Sequence, residues 1–195
     1  VDADLLIDFS NHVLTFPLLA YCIGRKLPAV ICTTGQTEEE KEAIRSAAKH
    51  IPIFFSANMS VGIAVLIRMA KDAAKAFPDA DIEIVEMHHN RKLDVPSGTA
   101  LMIANELKQV RRDAELCVGR HEAGKRKPNE IGIHSIRAGN EIGTHEVIIA
   151  TESQVLTLKH EARDRALFAE GAIAAAEFLF GKEPGLYQME DLLLA

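Results

Sequence analysis

The first 76 residues repeat one alternation three times, a short apolar run followed by a stretch of helical spacing, and this limits the fold more than any other feature. Ala3–Ser10 is an apolar run ending in polar residues, suited to a buried parallel strand. Asn11 to Arg25 carries helical apolar spacing, with Gly24 near its end and Pro28 opening the next run. Ala29–Cys32 reads as the second strand and stops at Thr33-Thr34-Gly35. Thr37 followed three residues later by Glu40 is a capping box, so a helix starts there and continues to about His50. Its acids come first and Arg45 and Lys49 late, as the helix dipole favours. Ile51–Phe55 is the third strand, ending at Ser56–Ser60, and a long helix follows through Ala76, closed by Phe77-Pro78. The order β-α-β-α-β-α requires a parallel sheet with right-handed crossovers. Ligands of such sheets gather at the C-terminal ends of the strands, here Ser10, Thr33-Thr34-Gly35 and Ala57-Asn58. By spacing alone, each of these is an ordinary strand-to-helix turn.

The second half changes character. Asp81–Val85 alternates polar with apolar residues as a half-buried strand does, and Leu101–Leu107 reads as a helix. Strands follow at about Ala114–Val118, Ile131–Arg137, His145–Thr151 and Val155–Glu161, with a basic loop at Gly119–Asn129. Strand, turn, strand in this order argues for an antiparallel or mixed sheet whose faces could pack against another subunit. Arg165 to Phe180 is an Ala-rich closing helix ended by Gly181, and Gly185 to Leu194 forms a short tail for which a helix is one reading.

Between Val85 and Leu101 lies the stretch with the most chemistry. Glu86-Met87-His88-His89-Asn90-Arg91-Lys92-Leu93-Asp94-Val95 carries imidazoles, cations and carboxylates into Pro96-Ser97-Gly98-Thr99, which has the fixed φ, capping hydroxyl and free backbone N–H groups of a helix start. A lone histidine or lysine in a loop is usually only solvated, and Ser-Gly-Thr is usually only a cap. Together they supply a proton donor for neutral pH, cationic anchors and an anion-binding helix start. Spacing alone does not name a reaction.

Composition narrows the partners. A net charge of −6 without a basic block argues against nucleic acid or an anionic membrane, so an anionic small molecule has to rely on the local cations of that loop. Cys22, Cys32 and Cys117 have neither zinc spacing nor a disulfide framework, which suits a reducing cytoplasm. No apolar run approaches the roughly 20 residues of a membrane span.

Glu86, His88-His89, Lys92, Asp94 and Pro96-Ser97-Gly98-Thr99-Ala100 resemble the signature of the 4-hydroxy-tetrahydrodipicolinate reductase (dihydrodipicolinate reductase) family, and the resemblance extends over essentially the whole chain. It implies a Rossmann-type dinucleotide domain, here residues 1–58 and 165–195, and an α+β substrate domain, residues 59–164, that also builds a homotetramer. It implies reduction of a cyclic imine dicarboxylate on the diaminopimelate route to lysine, with NADH or NADPH as cofactor. His88 matches the family's proton donor and Lys92 its second catalytic residue, while His89, Gly98 and Thr99 match substrate ligands. Cys32, Thr33 and Thr34 match a segment beside the nicotinamide, and Ser56, Ala57, Asn58 and Met59 a second one. Arg165 matches an arginine near the domain junction and is counted with the cofactor residues.

Two departures from the pattern stand out. Position 32 is Cys where the family has Gly, and no G-x-G-x-x-G follows a strand, since Gly139–Gly143 has the wrong spacing. The family carries that fingerprint in a leading segment on the order of 60 residues, two units of roughly 30, and this sequence is expected to start after it. A chain that truly began at Val1 would leave a second reading, a non-catalytic dicarboxylate-binding module. A metal-dependent hydrolase using His88, His89 and Asp94 ranks last, because adjacent histidines point to opposite sides of an extended strand and there is no H-x-x-x-H pair.

Overall fold

The computed structural model describes residues 2–195. It divides into two compact units, Val1–Val61 with Ala166–Ala195, and Gly62–Arg165. The chain opens with β1 (Leu6–Asp8), a single 3-10 turn at His12–Leu14 capped by the Asn11 side chain, and α1 (Thr15–Arg25). Gly24 does not end α1. Lys26 takes the left-handed conformation (φ +53°) and its N–H closes the helix on Cys22 and Ile23. β2 (Ala29–Ile31) is buried throughout, as its unbroken apolar run requires. The capping box of α2 (Glu38–Ala47) forms in both directions, Glu40 N–H to Thr37 Oγ1 at 3.2 Å and Thr37 N–H to Glu40 Oε2 at 2.7 Å. β3 (Pro52–Phe55) and α3 (Val61–Ala76) complete the alternation.

β4 runs over Asp81–His88, three residues beyond the apolar alternation, so His88 closes a strand and does not belong to the loop expected from the sequence. α4 (Gly98–Val110) begins where Ser97 caps it, and β5 (Glu115–Val118), β6 (Glu130–Arg137), β7 (Thr144–Ala150) and β8 (Val155–Glu161) follow. Their sheet has the order β5-β6-β4-β7-β8. β5, β6 and β4 run parallel, while β7 and β8 are antiparallel additions, which makes the sheet mixed. Ile82 and Ile84, Ile131 and Ile133, and Val147 and Ile149 form its apolar face, packed with Ile63, Leu66 and Ala70 of α3 and Ile103, Ala104 and Leu107 of α4.

The chain returns through α5 (Ala166–Leu179), β9 (Gly185–Tyr187) and α6 (Met189–Leu193). The helical reading of the tail agrees with α6, but β9 corrects it at Gly185–Tyr187, which lies parallel to β3 as the fourth strand of the sheet β1-β2-β3-β9. Three residues are too few to show alternation, and what holds them is packing of Tyr187 on Phe178, which in turn meets Phe54 edge-on. Gly171 of α5 is needed for close approach, since a Cβ there would run into the Met59 carbonyl.

Candidate active site

The mixed sheet is apolar along most of its buried face and becomes polar at one end. Continuing β4 past Ile82 and Ile84, the next inward positions are Glu86 and His88. Their register partners are Ser135 and His145 opposite Glu86, and Arg137 opposite His88. Glu86 is fully buried, and Arg137 grips it with two parallel bonds of 2.8 Å, one to each carboxylate oxygen. The Ser97 N–H reaches Glu86 Oε1 at 3.1 Å, and His88 Nδ1 lies 2.6 Å from Oε2. Burial pushes the Glu86 pKa up, but the bonds from Arg137, His88 and Ser97 outweigh it and bring the carboxyl down to about 2. It is therefore ionised at neutral pH, so the hydrogen of His88 sits on Nδ1 and Nε2 is left to exchange a proton.

A second imidazole packs against the first. The rings of His88 and His145 meet edge-to-face with centroids 5.3 Å apart, and His145 Nε2 lies 3.3 Å from Ser97 Oγ. Burial, reinforced by the charge of His88, holds the His145 pKa down at about 4, so this ring is neutral under ordinary conditions. Gly143 approaches from β7's entry, where a Cβ would lie 3.1 Å from His88 Nε2.

The loop after β4 carries the remaining expected groups. Lys92 Nζ pairs with Asp94 Oδ1 at 2.8 Å. Burial and the nearby charges of Arg91, Arg165, His88 and Lys92 hold His89 below the usual histidine range, and its buried Nδ1 has no hydrogen-bond partner among the described residues. Arg165, expected at the cofactor, is thus one of the charges acting on His89. The helix start differs from the wholly free set of donors expected: Glu86 takes the Ser97 N–H, and Ser97 Oγ the Ala100 N–H at 3.1 Å. Orphan donors at a helix start that can find an internal acceptor use it.

In the other unit the ends of β1, β2 and β3 lie side by side through the pairs Asp8↔Ile31 and Ile31↔Phe55. Cys32 and Thr33 are buried, whereas Thr34 and Gly35 (φ +91°) are exposed beyond β2. Burial, with the Asp8 charge beside it, raises the Cys32 thiol to about 12, an unreactive group packed inward. Among the described residues only Lys26 has a positive φ without being glycine, so the backbone at position 32 does not itself demand glycine. Beyond β3, Ser56 Oγ bonds the Asn58 carbonyl at 2.7 Å, and Asn58 Oδ1 accepts the Ser60 N–H at 2.8 Å, which fixes the turn and leaves Ala57 exposed. Met59 is buried beneath it.

Comparison with known proteins decides the family. Residues 1–59 match the family model "Dihydrodipicolinate reductase, N-terminus" and residues 62–193 match "Dihydrodipicolinate reductase, C-terminus". The chain belongs to the dihydrodipicolinate reductase family. It is 52% identical over 194 residues to the 4-hydroxy-tetrahydrodipicolinate reductase of Caldanaerobacter subterraneus subsp. tengcongensis, covering 98% of this chain and 77% of that one. Identity to the Clostridium tetani reductase is 46% over 195 residues, covering 99% of this chain and 76% of the other. The solved dipicolinate-bound dihydrodipicolinate reductase from Paenisporosarcina sp. TG-14 matches with a TM-score of 0.80 at 27% identity, covering 95% of this chain and 71% of that one.

As a dihydrodipicolinate reductase family member the chain is an oxidoreductase with a nicotinamide cofactor. The parallel sheet fits that group: neighbouring strand ends present exposed backbone at Thr34, Gly35 and Ala57, where a nucleotide can approach closely. The polar cluster at the end of β4 also contains residues that the sequence reading did not single out. Arg137, Gly143 and His145 reach His88 and Glu86 only through the pairing of β6 and β7 with β4, and no local spacing announces them. For the hydrolase alternative, His88 Nδ1 is committed to Glu86, and among the described residues no three His, Cys, Asp or Glu side chains are arranged to hold a metal ion.

Proposed function

We propose that the chain reduces 4-hydroxy-tetrahydrodipicolinate to tetrahydrodipicolinate with NADH or NADPH, using His88 as proton donor and Lys92 as the cation that steadies developing negative charge. The observation that carries this reading is the buried His88–Glu86–Arg137 line at a strand end, four residues before Lys92 in the chain. Cys32, Thr33 and Thr34, with Ser56, Ala57, Asn58 and Met59, are assigned to the cofactor. His89, Gly98 and Thr99 are assigned to the substrate, and Arg165 is kept with the cofactor residues. The first unit is then the dinucleotide domain and the second the substrate domain.

Once the 4-hydroxyl has left the ring as water, a bound nicotinamide would supply a hydride to the conjugated imine that remains. Enamine or carbanion character left in the ring must then be protonated, and an imidazolium placed beside it can do so. Glu86 fixes the tautomer of His88, and Arg137 keeps Glu86 charged. The neutral His145 holds the other side of the ring without adding a second positive charge. The Lys92 ammonium and the donors at the start of α4 suit a carboxylate of the substrate. The unpartnered Nδ1 of His89 is a ready donor or acceptor for the same ligand. A homotetramer in the cytoplasm is part of the proposal, supported by exposed apolar side chains on the mixed sheet, among them Val118, Ile136 and Val155, and by the free thiols. The test is oxidation of NADH and of NADPH by the full-length protein with freshly generated substrate, beside the affinity of Lys92→Ala for pyridine-2,6-dicarboxylate. Turnover with at least one nucleotide and weakened binding in the variant are expected. An inert protein that still binds the dicarboxylate would replace this reading with the non-catalytic module.

A further inference from the structure

The segment from Lys92 to Gly98 is closed on itself. Asp94 puts one carboxylate oxygen 2.8 Å from Lys92 Nζ, and the Gly98 N–H, the first of α4, acts on the same carboxylate and helps to hold its pKa below the usual carboxylate range. The backbone beneath it is tied down: the Asp94 carbonyl accepts a 2.7 Å bond from Arg137, the guanidinium that also holds Glu86. The side chain is not tied down in the same way, with 56% of its surface exposed against 22% for Lys92. So the carboxylate can leave Lys92 and Gly98 by a side-chain rotation, without any movement of the loop.

We propose that Asp94 is an internal stand-in for a substrate carboxylate, resting on Lys92 and the start of α4 in the free enzyme and displaced when the dicarboxylate binds. This rests on the reading above that Lys92 and Gly98 receive the substrate. Two carboxylates cannot share one ammonium and one N–H without repulsion, so the incoming anion must either expel Asp94 or bind against its charge. In both cases Asp94 opposes the ligand. Its service in the free enzyme is to hold the long Lys92 side chain at the place where it will be needed and to keep adventitious single carboxylates from settling there. A ligand with two carboxylates and a ring offers enough further contacts to displace a half-exposed, solvent-screened pair. Asp94 is on this account a positioning residue that acts through Lys92.

The experiment is calorimetric titration of the full-length protein with pyridine-2,6-dicarboxylate, comparing wild type, Asp94→Asn, Asp94→Ala, Lys92→Ala and the double variant Asp94→Ala/Lys92→Ala. If the competent, Asp94-displaced state is between about a tenth and a third of the population, removing the competitor tightens Kd by about three- to tenfold. Both Asp94 variants are expected to show that gain, with KM for the substrate falling in step, and the gain is expected to vanish in the Lys92→Ala background. A purely structural role would not tighten binding. Unchanged or weaker binding in the Asp94 variants, while Lys92→Ala still loses affinity, would overturn the Asp94 proposal alone. If Lys92→Ala binds as well as wild type, the assignment of this loop to the substrate fails first.

Discussion

Glu86→Gln perturbs the site at its most buried charge. The carboxyl titrates at about 2 in the folded protein against an ordinary value of 4.5. A depression of that size corresponds to about 3 kcal/mol of stability at neutral pH. The independent expectation for breaking a buried ion pair and stranding its partner, here Arg137, is about 3–5 kcal/mol, so the two routes agree. The sign follows from the lowered folded-state pKa. The contribution is fully present above the unfolded value of 4.5 and is lost as pH falls through the folded value of about 2. The substitution therefore lowers stability near pH 7, and the gap to wild type shrinks by roughly half near pH 3 and closes towards pH 2. Urea unfolding at a series of pH values, with wild type and variant side by side, measures it. The variant matching wild type at pH 7, or a gap that does not change with pH, would refute the reasoning. Because the amide cannot fix His88 as an anion does, kcat is also expected to fall by about a hundredfold.

Gly143→Ala places a methyl 3.1 Å from His88 Nε2 and is expected to lower kcat by about tenfold with little change in Tm, read from steady-state rates and thermal melts together. Gly171→Ala drives a methyl into the Met59 carbonyl and is expected to cost about 1–3 kcal/mol in urea unfolding. Since Met59 belongs to the proposed cofactor segment, KM for the nucleotide should rise with it, and a stable variant with an unchanged KM would remove that assignment.

Local signals were read from the sequence and long-range ones were not. Thr37 and Glu40 announce their capping box, Ser97 announces its helix, and the three apolar runs before Phe55 announce a parallel sheet, because each depends on neighbours within a few residues. The mixed sheet could be expected from strand order alone, yet its register could not. Extension of β4 to His88 depends on Arg137 and Ser97 satisfying a carboxylate that would otherwise end the buried strand. β9 depends on aromatic packing with Phe178, and the occupied Ser97 N–H at the start of α4 depends on an acid that approaches from β4. The grouping of His88, Lys92 and a helix start was visible because one short stretch of sequence carries all three. Arg137 and His145, on strands that only the sheet brings alongside, were not.

The most direct test of the central claim, that His88 on its buried carboxylate is the proton donor, is the single-turnover rate of nicotinamide oxidation in the full-length His88→Gln variant with substrate bound. The account requires a loss of at least about a hundredfold with dicarboxylate affinity kept within a few-fold of wild type. A variant that turns over within threefold of wild type would contradict it, and the proton would have to come from another group.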